Sequence, residues 1–337
     1  MDTYSPQLPG EVCSKLTNLR HHAEKKGFAV INAEVLAEAG GLDELRDFLP
    51  LIQDMPAEAY DDEITRHRFG IYAHFYKPDQ FAPTLLYFVA PEYDDDLGVK
   101  LFKYQLATDV NRQEEGAVRK FAPMPERALQ HLFLQRLIEA GFHAAPLPSE
   151  YRNLPLHVEI QFIRYQPRLG TASVGTPPTT HQDNDWAFCV FLLEWNNIDG
   201  AINAFVPVEH VNKPIHTVPR EHILAEVVLT KPLEGYCVED RKVAHYVGSV
   251  HLRAGYHSGR RTIAILSYTP LVPLGPADIK AAADVAIGYP ETTLNPPTVA
   301  KEIVVERPLS PSEPPGRMDR KTGRQPETTI LKRGLYA

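Results

Sequence analysis

The stretch HVEIQFIRY at residues 157–165 alternates polar and apolar side chains, which is the period of a strand with one buried face. Similar short runs follow it, separated by turn residues, at 186–193, 202–208, 224–229, 236–247 and 261–268. No helical pattern lies between these runs, which disfavours a parallel doubly wound sheet. The pattern predicts a mainly β fold with flanking helices, a double-stranded β-helix barrel of the jelly-roll or cupin type.

The chain ahead of this region predicts helices with a short strand. Apolar residues recur at helical spacing across 11–26, 42–52 and 129–137, and Gly27 ends the first helix before the strand-like residues 28–31. We therefore expect residues 1–275 to form one catalytic domain, with 1–150 as support and 151–275 as the β-barrel core. The proline-rich residues 276–337 predict an extension that is partly disordered or wrapped on the surface.

Composition excludes several classes of function. A net charge of −8 gives no general attraction for nucleic acid or anionic lipid. The sequence has no apolar run of the roughly 18 residues that a membrane helix needs, and residues 1–10 lack the order of a signal peptide. Cys13, Cys189 and Cys237 are too scattered for a disulfide framework or a thiolate zinc site. We expect a cytoplasmic protein with a small-molecule partner and no nucleic acid or membrane partner; homodimerisation stays open.

One pair of residues in the strand region has the spacing of metal ligands. His181 and Asp183 are two residues apart, so in a strand their side chains project from the same face. Two histidines and one carboxylate suit a redox-active iron, because this facial arrangement leaves coordination positions open for a co-substrate and oxygen. Most isolated pairs of this kind are solvated polar faces, and the second histidine must come from elsewhere in the chain.

His245 is the best candidate for the second histidine, because Arg261 follows it at the start of another strand. A guanidinium is the bidentate match for the distal carboxylate of 2-oxoglutarate, although a surface ion pair is the alternative for this arginine. His251 and His257 compete with His245, and Asp185 could replace Asp183 as the carboxylate ligand.

Three further residues are candidates for contact with a substrate. Trp186 directly follows the metal motif and is either a pocket residue or a packing residue. Arg119 and Arg164 could orient a substrate carboxylate, or they form ion pairs with glutamates of the chain, namely Glu114, Glu115 or Glu159.

The order of these motifs resembles the iron(II)- and 2-oxoglutarate-dependent dioxygenases typified by bacterial L-isoleucine 4-hydroxylase, which act on free amino acids. Residues 104–111 and 116–121 look like the family's Gln…Asn…Gly…Arg-x-Phe signature, and residues 164–165 like the Arg-Tyr that precedes its metal loop. Residues 181–185 match its HxD element, and residues 231–234 with 242–245 look like the approach to its distal histidine.

The resemblance continues to the end of the barrel region, with two departures. Asn197 and Gly200 lie where the family has an Asn and a Gly-Gly turn, but Ala201 replaces the second glycine. Arg261, rather than Arg260, matches the arginine that anchors 2-oxoglutarate, but Thr262 replaces the acidic residue that follows it in the family.

The resemblance implies Fe(II), 2-oxoglutarate as co-substrate and O2, with His181, Asp183 and His245 as metal ligands. It implies hydroxylation of a free, aliphatic L-amino acid with release of succinate and CO2. Oxidative cyclisation or desaturation of an amino acid would use the same centre. Two other classes stay open: a non-oxidative metal-dependent barrel enzyme such as an isomerase, and a catalytically silent barrel that binds a ligand or partner.

Overall fold

A computed structural model describes residues 7–58, 63–77, 84–105, 118–175, 177–183 and 185–271. These residues belong to one compact unit, Met1–Gly288, and a second unit, Tyr289–Ala337, lies outside them. The predicted proline-rich extension and residues 106–117 of the upstream signature also fall outside the described residues. In the described part of the chain, no helix is long and apolar enough to cross a membrane.

Helices and strands alternate in an uneven order along the chain. The helices are α1 Gly10–Lys26, α2 Ala33–Ala37, α3 Gly41–Phe48, α4 Glu126–Leu129 and α5 Leu132–Ala144. The strands of the first half are β1 Phe28–Ile31, β2 Arg66–Tyr76, β3 Leu85–Phe88, β4 Glu92–Asp94, β5 Val99–Gln105 and β6 Val118–Phe121. Those of the second half are β7 Leu156–Tyr165, β8 Ala187–Asn196, β9 Ile198–Gly200, β10 Asn203–Pro207, β11 Ala225–Val227, β12 Gly235–Val238, β13 Val243–Val247, β14 Val250–Leu252 and β15 Arg260–Pro270.

Within the described residues, the main sheet has seven strands in the order β1-β12-β8-β15-β7-β2-β3. Its neighbouring strands are antiparallel throughout. Smaller sheets, β11-β10-β13, β14-β9 and β4-β5-β6, accompany it. The prediction of a mainly β fold with flanking helices is confirmed.

The main sheet has two faces of different character, because successive side chains of a strand point to opposite sides. One face, here called the helix face, packs against the helices in a continuous apolar core that includes Phe162, Leu266 and Tyr268. The opposite face, here called the inner face, packs partly against the β11-β10-β13 sheet; Tyr165 and Phe188 belong to it. Arg261 lies on this inner face, and the predicted metal ligands lie above it.

Helix α5 lies close against the sheet at one small residue. A Cβ on Gly141 would overlap the hydroxyl group of Tyr268 in β15. That hydroxyl donates a hydrogen bond of 2.6 Å to the carbonyl oxygen of Ile138, which joins the helix to the central strand. The region 129–137 is helical as predicted but is divided between two helices, because the chain breaks between α4 and α5 and His131 caps α5 by accepting from the N–H of Phe133 at 3.2 Å.

The predicted strand at 236–247 is in fact two strands in different sheets. Strand β12 lies in the main sheet and β13 in the smaller one. The residues between them form a turn in which the N–H of Lys242 donates to the carbonyl oxygen of Glu239 at 2.9 Å. This turn lets the chain cross from one layer to the other, and it brings His245 over the inner face.

The turn that joins β9 to β10 uses the left-handed backbone region twice, at Gly200 (φ +90°) and Ala201 (φ +53°). A Cβ on Gly200 would overlap the carbonyl oxygen of Ser249. We expect Gly200→Ala to destabilise the fold by about 2 kcal/mol through backbone strain and this overlap, measured by urea denaturation. Ala201→Gly is the matched control and should be neutral or stabilising, because glycine adopts this φ without strain. Equal stability of Gly200→Ala and the wild type would contradict this account.

Candidate active site

The three predicted metal ligands meet above the inner face. The backbones of His181 and His245 pair as an isolated antiparallel bridge, with N–H···O distances of 2.8 and 2.9 Å. The Asp183 carboxylate reaches both imidazoles, with Oδ1 3.6 Å from His181 Nε2 and Oδ2 3.4 Å from His245 Nε2. All three ligand atoms lie within 4.8 Å of one another, so the three side chains can share one cation.

The two imidazoles are buried, whereas the Asp183 side chain is 41% exposed. Burial, with a contribution from His181, lowers the pKa of His245 to about 3. This imidazole is therefore neutral at ordinary pH, which is the form that binds a metal ion. The donor set of two imidazole nitrogens and one carboxylate is the set that non-haem Fe(II) takes in its facial sites.

Hydrogen bonds fix the orientation of the first imidazole. His181 Nδ1 lies 2.9 Å from the carbonyl oxygen of Thr179, to which it donates as the Nδ1–H tautomer, and this leaves Nε2 for the metal. The preceding residue is held in turn: the N–H of Thr180 donates to the carbonyl oxygen of Lys213 at 3.0 Å. The loop after β10 thus supports the metal motif.

Asp240, on the turn between β12 and β13, connects the two halves of the metal motif. It is 1% exposed, and its Oδ1 lies 3.8 Å from His245 Nδ1. Its Oδ2 accepts from the N–H of Asp185 at 3.3 Å, and its carbonyl oxygen accepts from the side-chain amide of Gln182. A carboxylate behind a metal-binding imidazole orients the ring and raises its basicity.

We expect Asp240→Ala to weaken Co(II) binding by about 10- to 100-fold, because the ring of His245 loses the carboxylate behind it. The measurement is a calorimetric titration of the metal-free protein with Co(II). Glu239→Ala is the matched control on the same turn, since Glu239 pairs with Lys242 at 2.9 Å rather than with the metal motif. If Asp240→Ala binds Co(II) as tightly as Glu239→Ala does, Asp240 does not support the metal ligand.

Arg261 is the second unusual feature of the inner face. Its side chain is fully buried, and its Nε, Nη1 and Nη2 atoms have no hydrogen-bond partner among the residues that the structure describes. The Tyr165 ring, opposite in register on β7, lies 5.5 Å from its Cζ. Arg260 is instead exposed and pairs with Glu194 at 2.6 Å, so Arg261 is the arginine of the two that faces inward.

An unpaired buried guanidinium costs several kcal/mol and points to an anion that binds beside it. The ring of Tyr236 lies 5.2 Å from that of Phe205, which is the register partner of His245, and the charge of Arg261 acts on the Tyr236 hydroxyl. Burial is the main cause that raises the pKa of Tyr236, which stays a neutral hydrogen-bond donor and bonds to Asn203 Oδ1 at 3.1 Å. The orphaned guanidinium thus fits the carboxylate of a bound ligand.

The residues predicted to contact a substrate lie in different parts of the structure. Arg164 lies on the helix face and donates to the carbonyl oxygens of Gln53 and Ile52 at 2.6 and 3.1 Å, so it is directed away from the metal ligands. Its register partner Thr262 also lies on that face, and the departure from the family pattern at this position therefore lies on the side of the sheet opposite to Arg261.

Trp186 packs against other side chains. Its ring lies 4.6 Å from that of Tyr151, and the guanidinium of the exposed Arg241 stacks over it at 3.5 Å. This arrangement favours the packing interpretation of Trp186. The competing histidines, His251 and His257, are exposed and are not among the ligands that share a common centre.

Arg119 is buried on β6, and its charge acts on Arg68 in β2 and on Glu159 in β7. The sequence analysis did not predict Arg68, Arg119 and Glu159 as a site, although it named Glu159 as an ion-pair partner. The alternation of polar and apolar residues in β7 could have indicated Glu159, because it shares a face with Tyr165. Arg68 gave no signal, since β2 was not predicted as a strand.

Comparisons with known proteins agree with this geometry. A family model described as 2OG-Fe dioxygenase matches residues 98–267. No curated protein matches the chain. Among solved structures, the chain is similar to IDO from Bacillus thuringiensis (18% identity, TM-score 0.52), covering 76% of this chain and 99% of that one. It is also similar to a bsmA homolog from Methylobium petroleophilum (15%, TM-score 0.58, covering 77% and 95%) and to the Fe(II)/(alpha)ketoglutarate-dependent dioxygenase TqaL (11%, TM-score 0.53, covering 79% and 90%).

The chain belongs to the family of 2OG-Fe dioxygenases, since the family model matches half of its length. It is an enzyme of this class, and the family uses Fe(II), 2-oxoglutarate and O2. The solved structures show the shared fold, the double-stranded β-helix that the strand pattern predicted.

Proposed function

We propose that this dioxygenase hydroxylates a free, aliphatic L-amino acid. In the balanced reaction, the amino acid, 2-oxoglutarate and O2 give the hydroxylated amino acid, succinate and CO2. The observation that carries the co-substrate assignment is the unpaired, fully buried guanidinium of Arg261 on the face that also meets the metal ligands. Its charge and planar fork match the distal carboxylate of 2-oxoglutarate.

The residues of the chain would divide the work as follows. His181, Asp183 and His245 would hold Fe(II), which when bound supplies the activation of O2. Arg261 would hold 2-oxoglutarate by its distal carboxylate, beside the Tyr165 ring. The buried walls around the imidazoles, which include Phe188 with its ring 5.1 Å from that of His245, would exclude water.

Support for an amino acid substrate comes from the polar groups near the metal motif. Buried cationic side chains, Arg68 on the inner side of the sheet and Arg119 on β6, accompany the carboxylate of Glu159. A zwitterion presents both charges that such a set of groups attracts. Phe188 supplies apolar surface next to the metal ligands, which suits an aliphatic side chain. The family resemblance of the ordered motifs points the same way.

The test is an assay of succinate formation by the Fe(II)-loaded protein with 2-oxoglutarate, O2 and each free L-amino acid in turn. We expect amino-acid-dependent succinate together with a product that has gained one oxygen atom. A product that has lost two hydrogen atoms would instead indicate cyclisation or desaturation. If no free amino acid stimulates succinate formation, the substrate assignment is wrong.

A cytoplasmic location and the absence of a nucleic-acid partner stay predictions, and whether the chain forms a homodimer stays open. The boundary of the catalytic domain near residue 275 is also a prediction. None of them affects the proposed reaction.

A further inference from the structure

Glu159 occupies a central position on the inner face. It pairs in register with Ser267 of β15 on one side and with Tyr72 of β2 on the other. Ser267 pairs in turn with Phe188 of β8, whose ring lies 5.1 Å from that of His245, a proposed metal ligand. Glu159 therefore lies near the metal motif, in a part of the inner face away from Arg261.

The carboxylate of Glu159 has no cationic partner within ion-pair distance among the residues that the structure describes. It accepts a hydrogen bond from the neutral side-chain amide of Gln161. Arg68, the basic residue that bonds to the same amide, is committed to Glu58 at 3.1 Å. A half-buried carboxylate with a neutral partner is electrostatically unbalanced, and a bound cation would correct this.

Neighbouring groups add to the negative charge at this point. Asp185 is half-buried and hydrogen-bonds to the Ser267 hydroxyl, so a second carboxylate lies beside the register partner of Glu159. Burial raises the pKa of Glu159 to about 7, with Asp183 adding to the shift and Arg68 and Arg119 opposing it. The carboxylate is thus costly to ionise in the free protein and would gain from a positively charged ligand.

The geometry matches one chemical group. Two carboxylates and a hydroxyl offer hydrogen-bond acceptors side by side, and a protonated primary amine carries three N–H donors. An independent observation points to a ligand on this face: farther along the same strand as Ser267, the fully buried guanidinium of Arg261 has no hydrogen-bond partner among the described residues.

Resting on the proposed function, we infer that Glu159, with Asp185 and Ser267 beside it, binds the ammonium group of the substrate and selects molecules that carry a protonated amine. Arg119 lies within electrostatic reach of Glu159 on β6 and has the charge to attract the substrate carboxylate. Glu159 is then a specificity-determining residue, and no bond is made or broken at its carboxylate.

The experiment compares the wild type with Glu159→Gln, which keeps the shape of the side chain and removes its charge. Succinate formation is measured with the amino acid that the wild type oxidises best and with the corresponding carboxylic acid that lacks the amine. We expect Glu159→Gln to raise the KM for the amino acid by about 10- to 100-fold, as the loss of a charge-assisted hydrogen bond would. The KM for the carboxylic acid that lacks the amine should change by less than about threefold, because this substrate has no charged contact with Glu159 to lose. A threefold change corresponds to about 0.7 kcal/mol.

Two controls separate this role from a structural one. Glu194→Gln changes a glutamate on β8 that bonds to Thr262 on the helix face, and it should leave the preference for the amine intact. Fe(II) and 2-oxoglutarate binding, followed anaerobically by the absorption of the complex, should be unchanged in Glu159→Gln. As a second variant, Ser267→Ala should raise the same KM by a smaller factor.

Each outcome decides between the hypotheses. A wild-type KM and amine preference in Glu159→Gln would overturn the role of Glu159 while leaving the amino acid assignment in place. Loss of Fe(II) or 2-oxoglutarate binding in that variant would also overturn it, because the residue would then be structural. Stimulation of the wild type by des-amino acids alone, or by no panel member, would overturn the amino acid assignment itself and the ammonium site with it.

Discussion

Replacing Arg261 by methionine should abolish 2-oxoglutarate binding and at the same time stabilise the ligand-free protein. The guanidinium is fully buried and has no hydrogen-bond partner among the described residues, so the fold bears its desolvation cost, which the proposed contact with the co-substrate would offset. Methionine fills a similar volume with no charge. We expect the affinity for 2-oxoglutarate to fall by at least about 100-fold and the free energy of unfolding without ligand to rise by about 1–4 kcal/mol.

Calorimetric titration with 2-oxoglutarate and urea denaturation of the metal-free protein measure the two effects separately. Arg260→Met is the matched control, because Arg260 is exposed and pairs with Glu194. Arg260→Met should change neither the affinity for 2-oxoglutarate nor the free energy of unfolding by much. A variant Arg261→Met that is less stable than the wild type, or that still binds 2-oxoglutarate, would show that the guanidinium has a structural partner instead of a co-substrate.

Replacing Asp183 by alanine should remove metal binding and activity while leaving the fold nearly unchanged. This carboxylate is the ligand that reaches both imidazoles, whereas its side chain is 41% exposed and contributes little to the core. We expect Co(II) affinity to fall by at least about 100-fold, more than for a supporting residue, and stability to change by less than about 0.5 kcal/mol. Amino-acid-dependent succinate formation should disappear.

The control for this variant is Asp199→Ala, an exposed carboxylate that pairs with Arg253 at 3.1 Å. Its metal affinity should equal that of the wild type. Retention of tight Co(II) binding by Asp183→Ala would mean that another carboxylate, with Asp185 the nearest candidate, completes the site. Asp183→Ala combined with Asp185→Ala would then identify it.

The strand pattern after residue 156 was sufficient to predict the fold, because each run there keeps one apolar face against a helix or another sheet. The two-residue spacing of His181 and Asp183, together with the position of His245 ahead of Arg261, brought these residues into one hypothesis, and their ligand atoms lie within 4.8 Å of one another. Metal ligands are predictable in this way because their chemistry restricts residue type, spacing and face at once.

Other features depend on tertiary contacts and leave little signal in the sequence. Strand β2, RHRFGIYAHFY, lies beside the polar part of the inner face, and its basic residues obscure the alternation. Arg164 and Arg261 look equivalent along the chain, yet register places them on opposite faces of neighbouring strands. Asp240 comes near the metal motif only because a turn returns the chain between two sheets, which no local pattern specifies.

The separation of the two faces of the main sheet also governs how this enzyme can be re-engineered. Tyr72, Gln161 and Ile265 lie on the inner side and are only partly buried, so a library randomised at these positions can retune substrate choice with smaller packing losses than changes on the helix face. Their chain neighbours on the helix face, such as Phe162 and Leu266, are fixed by close packing. Selection for new substrates is therefore expected to accumulate changes at every second residue of these strands.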